Sequence, residues 1–143
     1  MRDLEKEKVI GKLHETFYAT TGVITPVENA RKIGQAIAEQ LKTKRVSGVI
    51  LTSTWGTSTR YGAALSKELE GAGLPTAHIC AITPVALMVG SNRIIPTTSV
   101  VQPVGNADLG PKAERALRRA IVEKALEALQ TEVREQKLFS RPT

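Results

Sequence analysis

Aromatic residues are scarce in this chain of 143 residues, at 3% of the sequence, so the core must be built mainly from Ile, Val, Leu and Ala. The single cysteine, Cys80, excludes an internal disulfide and is typical of the reducing cytosol. Two histidines and one cysteine do not give the spacing of a metal site, and no nucleotide-binding motif is present. We therefore predict one domain that holds no metal and no cofactor, and this length suits one domain.

Long hydrophobic segments are also missing. The longest apolar stretch, near residues 84–89, is far too short to span a bilayer, and the N-terminus has no apolar signal core. We expect a soluble, cytoplasmic protein that does not bind membranes. The net charge of +6 permits contact with nucleic acid or an acidic partner. The basic residues are dispersed, however, and no platform of basic and aromatic residues accompanies them, so a solvated basic surface is favoured over nucleic-acid binding.

Hydrophobic periodicity divides the chain into alternating helices and strands. The clearest helix start is Thr25, the predicted N-cap, with Pro26 at the first helical position and Glu28 completing a capping box. The pattern predicts helices at residues 3–13, 25–45, 61–71, 84–89 and 111–136, and strands at residues 46–52, 75–82, 92–96 and 98–101.

This alternation predicts an α/β fold, a single three-layer domain with a mainly parallel sheet of four or five strands flanked by helices. Within it, residues 1–24 would be an N-terminal extension, residues 25–136 the core and residues 137–143 a tail.

The most informative segment is residues 49–62, where a β-branched apolar run feeds a loop rich in hydroxyls and glycine before a helix. Ligands of open α/β sheets bind beyond the carboxyl ends of the strands, and a helix N-terminus there favours anions. The segment therefore predicts a substrate-binding loop made of Thr52, Ser53, Thr54, Gly56, Thr57 and Thr59. The alternative is that these hydroxyls only satisfy backbone groups of the loop and the N-cap.

Three further polar residues are candidates for holding a substrate carboxylate: Arg60, Asn92 and Arg93. Arg60 is predicted near a helix N-terminus, where a cation opposes the helix dipole and so needs an anion or a neighbouring acid. Arg93 could form a bidentate pair with a carboxylate, and its alternative role is a surface ion pair.

Cys80 ends the second predicted strand beside the expected crevice, and His78 lies two residues earlier on the same strand face. Together they could form a thiol–imidazole pair. The alternatives are that Cys80 is inert packing and that His78 is a hydrogen-bonded structural histidine.

Several separate blocks of the chain resemble selenoprotein B of the glycine, sarcosine and betaine reductases, of which the D-proline reductase selenoprotein subunit is a close relative. The blocks are residues 17–22, 27–30, 48–54, 56–57, 59–60, Gly62, 78–80, Pro84, 89–90, 92–94, Pro96, 117–119, 122–126 and 128–129. The resemblance covers nearly the whole chain, but it corresponds only to the C-terminal domain of those longer selenoproteins.

The resemblance is broken at the reactive positions. Trp55 stands where the family has selenocysteine, and Ser58 and Tyr61 stand where it has cysteines. The family chemistry implied by the resemblance uses a selenolate that attacks the α-carbon of an amine held by a pyruvoyl-like electrophile on a partner subunit. An indole cannot be that nucleophile, and Ser58 is a weak one without an adjacent base.

Two interpretations of Trp55 remain. The selenocysteine and tryptophan codons differ by one base, so the position could be a recoded or misread selenocysteine. The accompanying changes at Ser58 and Tyr61 favour a lineage that has abandoned selenol chemistry.

Two functions follow from the resemblance. In the first, the chain is a small subunit of a reductase-like complex acting on an amino acid or related amine, with a second protein subunit supplying the missing domain or electrophile. The catalytic candidates are then Trp55, as the selenocysteine position, Ser58 and Cys80. In the second, it is a non-catalytic scaffold that binds a carboxylate ligand or a partner through Trp55, and a homo-oligomer is compatible with an exposed tryptophan.

Overall fold

The alternation of helices and strands is present in the computed structural model, which describes residues 1–22 and 24–142. In chain order the elements are α1 (Arg2–Lys6), α2 (Val27–Thr43), β1 (Val49–Ser53), α3 (Gly56–Gly71), β2 (Thr76–Cys80), α4 (Thr83–Val89), β3 (Arg93–Pro96), α5 (Pro111–Gln130) and β4 (Lys137–Leu138). Val23 of the predicted extension and Thr143 of the predicted tail lie outside the described residues.

The four strands form one parallel sheet in the order β1-β2-β3-β4, which confirms the predicted α/β fold with four strands. Ser53, Cys80 and Pro96 are in register, so the ends of β1 to β3 share one edge, called here the carboxyl edge. Because side chains alternate along a strand, Ala77 and Ile79 of β2 pack towards α5. His78 and Cys80 point to the opposite face, which α3 and α4 cover.

Helices α2 and α3 pack side by side and run in the same direction. Ala30 and Tyr61 share a cluster near their N-termini, and Ala38 and Leu69 share another near their C-termini. At Gly34 the two helices approach so closely that a Cβ would lie 2.9 Å from Cβ of Glu68. Since α3 follows β1 directly, this packing brings the N-termini of both helices to the carboxyl edge.

The helix starts differ from those predicted. Helix α2 begins at Val27 with Pro26 as its N-cap, and no side chain caps it, so the predicted capping box is not formed. The Thr25 hydroxyl instead donates to the carbonyl of Thr21. Helix α3 begins at Gly56, five residues before the predicted start, because the hydroxyl-rich segment supplies its first turns. The predicted loop is thus a short turn.

The C-terminal third also departs from the sequence pattern. Helix α5 ends at Gln130 instead of residue 136, and residues 98–101 are not a strand. The helix ends where Arg93 takes the carbonyls of Ala128 and Thr131, which a longer helix would have used for its own hydrogen bonds. The predicted tail at residues 137–143 contributes β4 to the sheet, and Phe139 is buried in the core.

Candidate functional site

Trp55 is the N-cap of α3 and lies in the two-residue turn that follows β1. Its backbone is extended, with φ −82° and ψ 174°, and its carbonyl accepts the first hydrogen bond of the helix from the Thr59 N–H at 2.7 Å. Its side chain is 62% exposed. The indole therefore stands out into solvent at the carboxyl edge, on the positive end of a 16-residue helix.

Backbone N–H groups at the start of α3 are available as hydrogen-bond donors. No side chain caps α3, so the first-turn N–H groups, at Gly56, Thr57 and Ser58, have no side-chain acceptor at the N-cap. Arg60 is exposed one turn into the helix, and no acid pairs with it in the part of the chain that the structure describes. A positive helix end beside an exposed guanidinium favours an anion.

The hydroxyls predicted to form a cradle do not converge on one spot. Thr52 and Thr57 are exposed, whereas Ser53 and Thr59 are buried. Thr54 is half-buried, and its backbone N–H donates to the Ser58 hydroxyl at 3.3 Å. Ser58 therefore closes the turn from inside, as a loop-stabilising hydroxyl does.

Ser58 is also covered by the segment that leads into α2. A Cβ at Gly22 would lie 3.1 Å from both Cβ and Oγ of Ser58, so the chain passes directly over this side chain. On the other side, Gly56 packs against Ile82, which follows β2. The Trp55 turn, residues 54–55, is thus fitted between neighbouring loops, and the indole projects from it into solvent.

Arg93 and Asn92 are not brought to this turn. They lie at the start of β3, at the edge of the sheet opposite to Trp55. The Arg93 guanidinium pairs with Glu70 and donates to the carbonyls of Ala128 (2.8 Å) and Thr131 (3.2 Å). Arg93 is largely buried, so its ion pair lies in the interior and is not the predicted surface pair, and its three hydrogen bonds go to Glu70 and the end of α5 at the edge opposite to Trp55.

Cys80 lies at the carboxyl edge, in register with Ser53, but its thiol is fully buried against Ala86 and Ile94. Burial disfavours the thiolate and raises the pKa of Cys80 from 9.0 to about 12. A thiol in this state is not a nucleophile at neutral pH.

His78 shares the face of β2 that carries Cys80, but both of its ring nitrogens are engaged by serines. Nε2 lies 2.8 Å from Ser53 Oγ and Nδ1 lies 2.7 Å from Ser91 Oγ. Burial lowers the pKa of His78 from 6.5 to about 4, so the ring is neutral at physiological pH. The predicted thiol–imidazole pair is therefore replaced by a Ser–His–Ser chain.

Sequence reasoning missed one member of this hydrogen-bond network, Ser91, and the glycine that packs against it, Gly62. Gly62 has no room for a side chain, because a Cβ there would overlap the Ser53 hydroxyl and lie 2.9 Å from His78 Nε2. A glycine inside a helical pattern is a signal of close approach that could have indicated this contact. Ser91, which follows the left-handed Gly90 cap of α4, carried no such signal.

Two clefts lie away from this turn. One, of about 380 Å³, lies between the loop after β3 and α5 and is lined by Gln102, Pro103, Val104, Gly105, Ala107, Glu114 and Arg118. The other, of about 450 Å³, is lined by Met1, Arg2, Glu5, Lys12, Leu13, His14, Glu15 and Phe17. Neither contains a residue of the Trp55 turn. Over residues 1–22 and 24–142, no helix combines the length and apolarity needed to cross a membrane.

The chain is similar to known reductase components along nearly its whole length. The family profile of glycine/sarcosine/betaine reductase selenoprotein B matches residues 1–54. Glycine reductase complex component B subunit gamma of Peptoclostridium acidaminophilum is 52% identical over 99% of this chain and 32% of its own length. The subunit of the same name from Carboxydothermus hydrogenoformans is 55% identical over 97% of this chain and 32% of its own length.

Sarcosine reductase complex component B subunit beta of Peptoclostridium acidaminophilum is 47% identical over 97% of this chain and 32% of its own length. The chain spans about a third of the length of these relatives. No solved structure gives a significant match. The similarity to these reductase components runs through the β1–α3 turn and both of its flanks, and residues 1–54 match the profile of glycine/sarcosine/betaine reductase selenoprotein B.

Proposed function

We propose that this chain belongs to a component of a reductase-like complex that acts on an amino acid or a related amine, and that its selenol nucleophile has been lost. Relatives are named as components of glycine, sarcosine and betaine reductase complexes and as a D-proline reductase subunit, which supports this class of complex and leaves the amine open. A second subunit would supply the remaining domain or the electrophile.

The observation that carries the proposal is the position of Trp55. A residue at the N-cap of α3 that is 62% exposed combines access to solvent with the positive end of a helix. This is the environment that stabilises a thiolate or selenolate. The geometry suited to a soft nucleophile is therefore retained, while the side chain that occupies it cannot attack carbon.

The substrate is proposed to bind through its carboxylate to the start of α3. The N–H groups of Gly56, Thr57 and Ser58 and the guanidinium of Arg60 face no acid in the described part of the chain. An amino-acid carboxylate matches this positive end in charge. The exposed hydroxyls of Thr52 and Thr57 are available to an incoming ligand, whereas those of Ser53 and Thr59 are enclosed in the core.

A direct test restores a nucleophile. The complex that forms around this chain in its native host would be isolated and assayed for reduction of glycine, sarcosine, betaine and D-proline with a dithiol as reductant. We expect Trp55→Cys to raise turnover above that of the unchanged chain. Trp55→Ser should give no increase, because serine is similar in size to cysteine but is not a soft nucleophile. Isolation of the chain without any reductase component would contradict the proposal.

A second function, a non-catalytic scaffold that binds a carboxylate or a partner through the Trp55 turn, is favoured by the burial of Cys80. The only thiol of the chain has no exposed surface and a pKa of about 12. In the isolated complex, Cys80→Ala separates the two functions. Unchanged turnover means that this chain contributes no thiol chemistry, and loss of turnover in a folded variant means that Cys80 takes part.

A further inference from the structure

A buried network of hydrogen bonds, formed by Ser53, His78 and Ser91, runs along one face of the sheet. It connects the Trp55 turn to the edge of the sheet opposite the carboxyl edge. Ser53 is the last residue of β1, two residues before Trp55, whereas Ser91 follows α4 at the opposite edge. The three side chains are at most 3% exposed, and both hydrogen bonds are shorter than 3 Å. A fully satisfied polar network of this kind rigidifies the elements that it joins.

The imidazole contacts both flanks of the turn. On the strand side it bonds to the Ser53 hydroxyl, and on the helix side the backbone of Gly62 lies against its Nε2. Elsewhere on the same face of α3, the buried hydroxyls of Thr59 and Ser66 have no hydrogen-bond partner in the described part of the chain. At the corner where β1 becomes α3, the His78–Ser53 bond therefore ties the end of the strand to β2, whereas the Thr54 N–H bond to the Ser58 hydroxyl lies within the turn itself.

We propose that His78 is a positioning residue that fixes the Trp55 turn through its hydrogen bond to Ser53, while its bond to Ser91 only anchors the ring. A catalytic Ser–His pair would need an open path to the hydroxyl, and Ser53 is enclosed by α3. The proposal concerns the geometry of the turn and holds whether or not the chain takes part in reduction.

The two bonds can be separated by amide substitutions. The side-chain amide of asparagine reaches the place of the imidazole Nδ1, and that of glutamine reaches the place of Nε2. His78→Asn therefore keeps a partner for Ser91 and loses Ser53, whereas His78→Gln keeps Ser53 and loses Ser91. Ser53→Ala removes the His78–Ser53 bond and Ser91→Ala removes the His78–Ser91 bond, in each case by deleting the serine hydroxyl. These two variants are matched controls for each other.

Trp55 is the only tryptophan, so its fluorescence reports on the turn alone. We expect His78→Asn and Ser53→Ala to lower the fluorescence anisotropy of Trp55. They should also speed hydrogen exchange at the Thr59 N–H by about fivefold or more, as expected for loss of one buried hydrogen bond. His78→Gln and Ser91→Ala should keep the anisotropy and the exchange rate of the unchanged chain. Far-UV circular dichroism would establish that each variant is folded.

The proposal is overturned if Ser53→Ala leaves both signals unchanged, or if Ser91→Ala alters them as much as Ser53→Ala does. It is equally overturned if folded His78→Gln and His78→Asn show the same fall in Trp55 anisotropy and the same rise in hydrogen exchange at the Thr59 N–H. Should the His78 variants fail to fold, the comparison of Ser53→Ala with Ser91→Ala decides alone. No substrate or partner enters these measurements, so their failure is distinct from failure of the proposed function.

Discussion

Arg93 and Glu70 form an ion pair inside the protein, between the start of β3 and the last turn of α3. Their side chains are 9% and 13% exposed, and the Glu70 carboxylate also accepts the Thr76 N–H at 2.7 Å. The same guanidinium holds the end of α5 through two carbonyls. One arginine thus joins three elements at the edge opposite to Trp55, and its role is to stabilise the fold.

Arg93→Met should lower the free energy of unfolding by about 3 kcal/mol or more, because removal of one partner leaves a buried carboxylate unpaired. Urea denaturation would measure the change. The matched control is Arg134→Met, since the Arg134–Glu132 pair is 90% and 82% exposed and exposed pairs contribute little. An equal effect of the two substitutions would contradict the structural role assigned to Arg93.

Gly62→Ala should destabilise the protein by about 1–3 kcal/mol, because its methyl group would overlap the Ser53 hydroxyl and crowd His78. The control is Gly71→Ala in the last turn of the same helix, where a Cβ meets nothing within 4 Å. That substitution should be neutral or slightly stabilising, because alanine favours the helix more than glycine does. Thermal unfolding of both variants would test the pair, and equal melting temperatures would rule out close packing at Gly62.

The pKa of His78 predicts how stability depends on pH. The folded chain binds a proton on this ring near pH 4, and the unfolded chain near pH 6.5. As the pH falls the unfolded chain is protonated first, so stability that is present above pH 6.5 is lost as the pH falls through about 4. The total is on the order of 3 kcal/mol, at 1.36 kcal/mol per pKa unit.

Urea denaturation across this pH range would measure the loss, and His78→Gln should flatten the curve because glutamine does not titrate. His14→Gln is the control, since His14 lies outside the core and, among the residues that the structure describes, forms hydrogen bonds with Thr16, two positions along the chain. The prediction is contradicted if the pH dependence of the unfolding free energy is unchanged in His78→Gln and disappears in His14→Gln.

The thiol of Cys80 should resist alkylation by iodoacetamide at neutral pH until the protein unfolds, because burial both encloses it and raises its pKa to about 12. A thiol introduced by Trp55→Cys, at the exposed start of α3, should react readily in the folded state. Mass spectrometry of the two positions in that variant provides an internal comparison. Faster labelling of Cys80 than of the new thiol would overturn both assignments.

The same pKa shift has a consequence for alkaline stability. The unfolded chain loses the Cys80 proton near pH 9.0 and the folded chain only near 12, so stability present below pH 9.0 is lost as the pH rises towards 12. Cys80→Ala removes this titration, and its unfolding free energy should then vary less across that range. Parallel curves for the two proteins would contradict the shift.

Local patterns in the sequence determined much of the framework. The β-branched run before the hydroxyl-rich segment predicted that a strand passes into a helix beside an exposed Trp55, and alternating periodicity predicted a parallel sheet with helices. The end of α4 at Gly90 was also predictable, since its φ of 115° suits glycine. Such features depend on residues within a few positions of one another, and propensities and side-chain periods act over that distance.

Other features depended on residues far apart in the chain, and only the tertiary structure decided them. The partners of Arg93 lie 23, 35 and 38 residues away, and those of His78 lie 13 and 25 residues away. The two-residue β4 is too short to have a pattern of its own and exists because β3 offers it an edge. Sequence alone placed an arginine, a histidine and a cysteine near a site. Packing buried all three, because distant partners satisfy the polar atoms of Arg93 and His78, and Cys80 packs against the apolar side chains of Ala86 and Ile94.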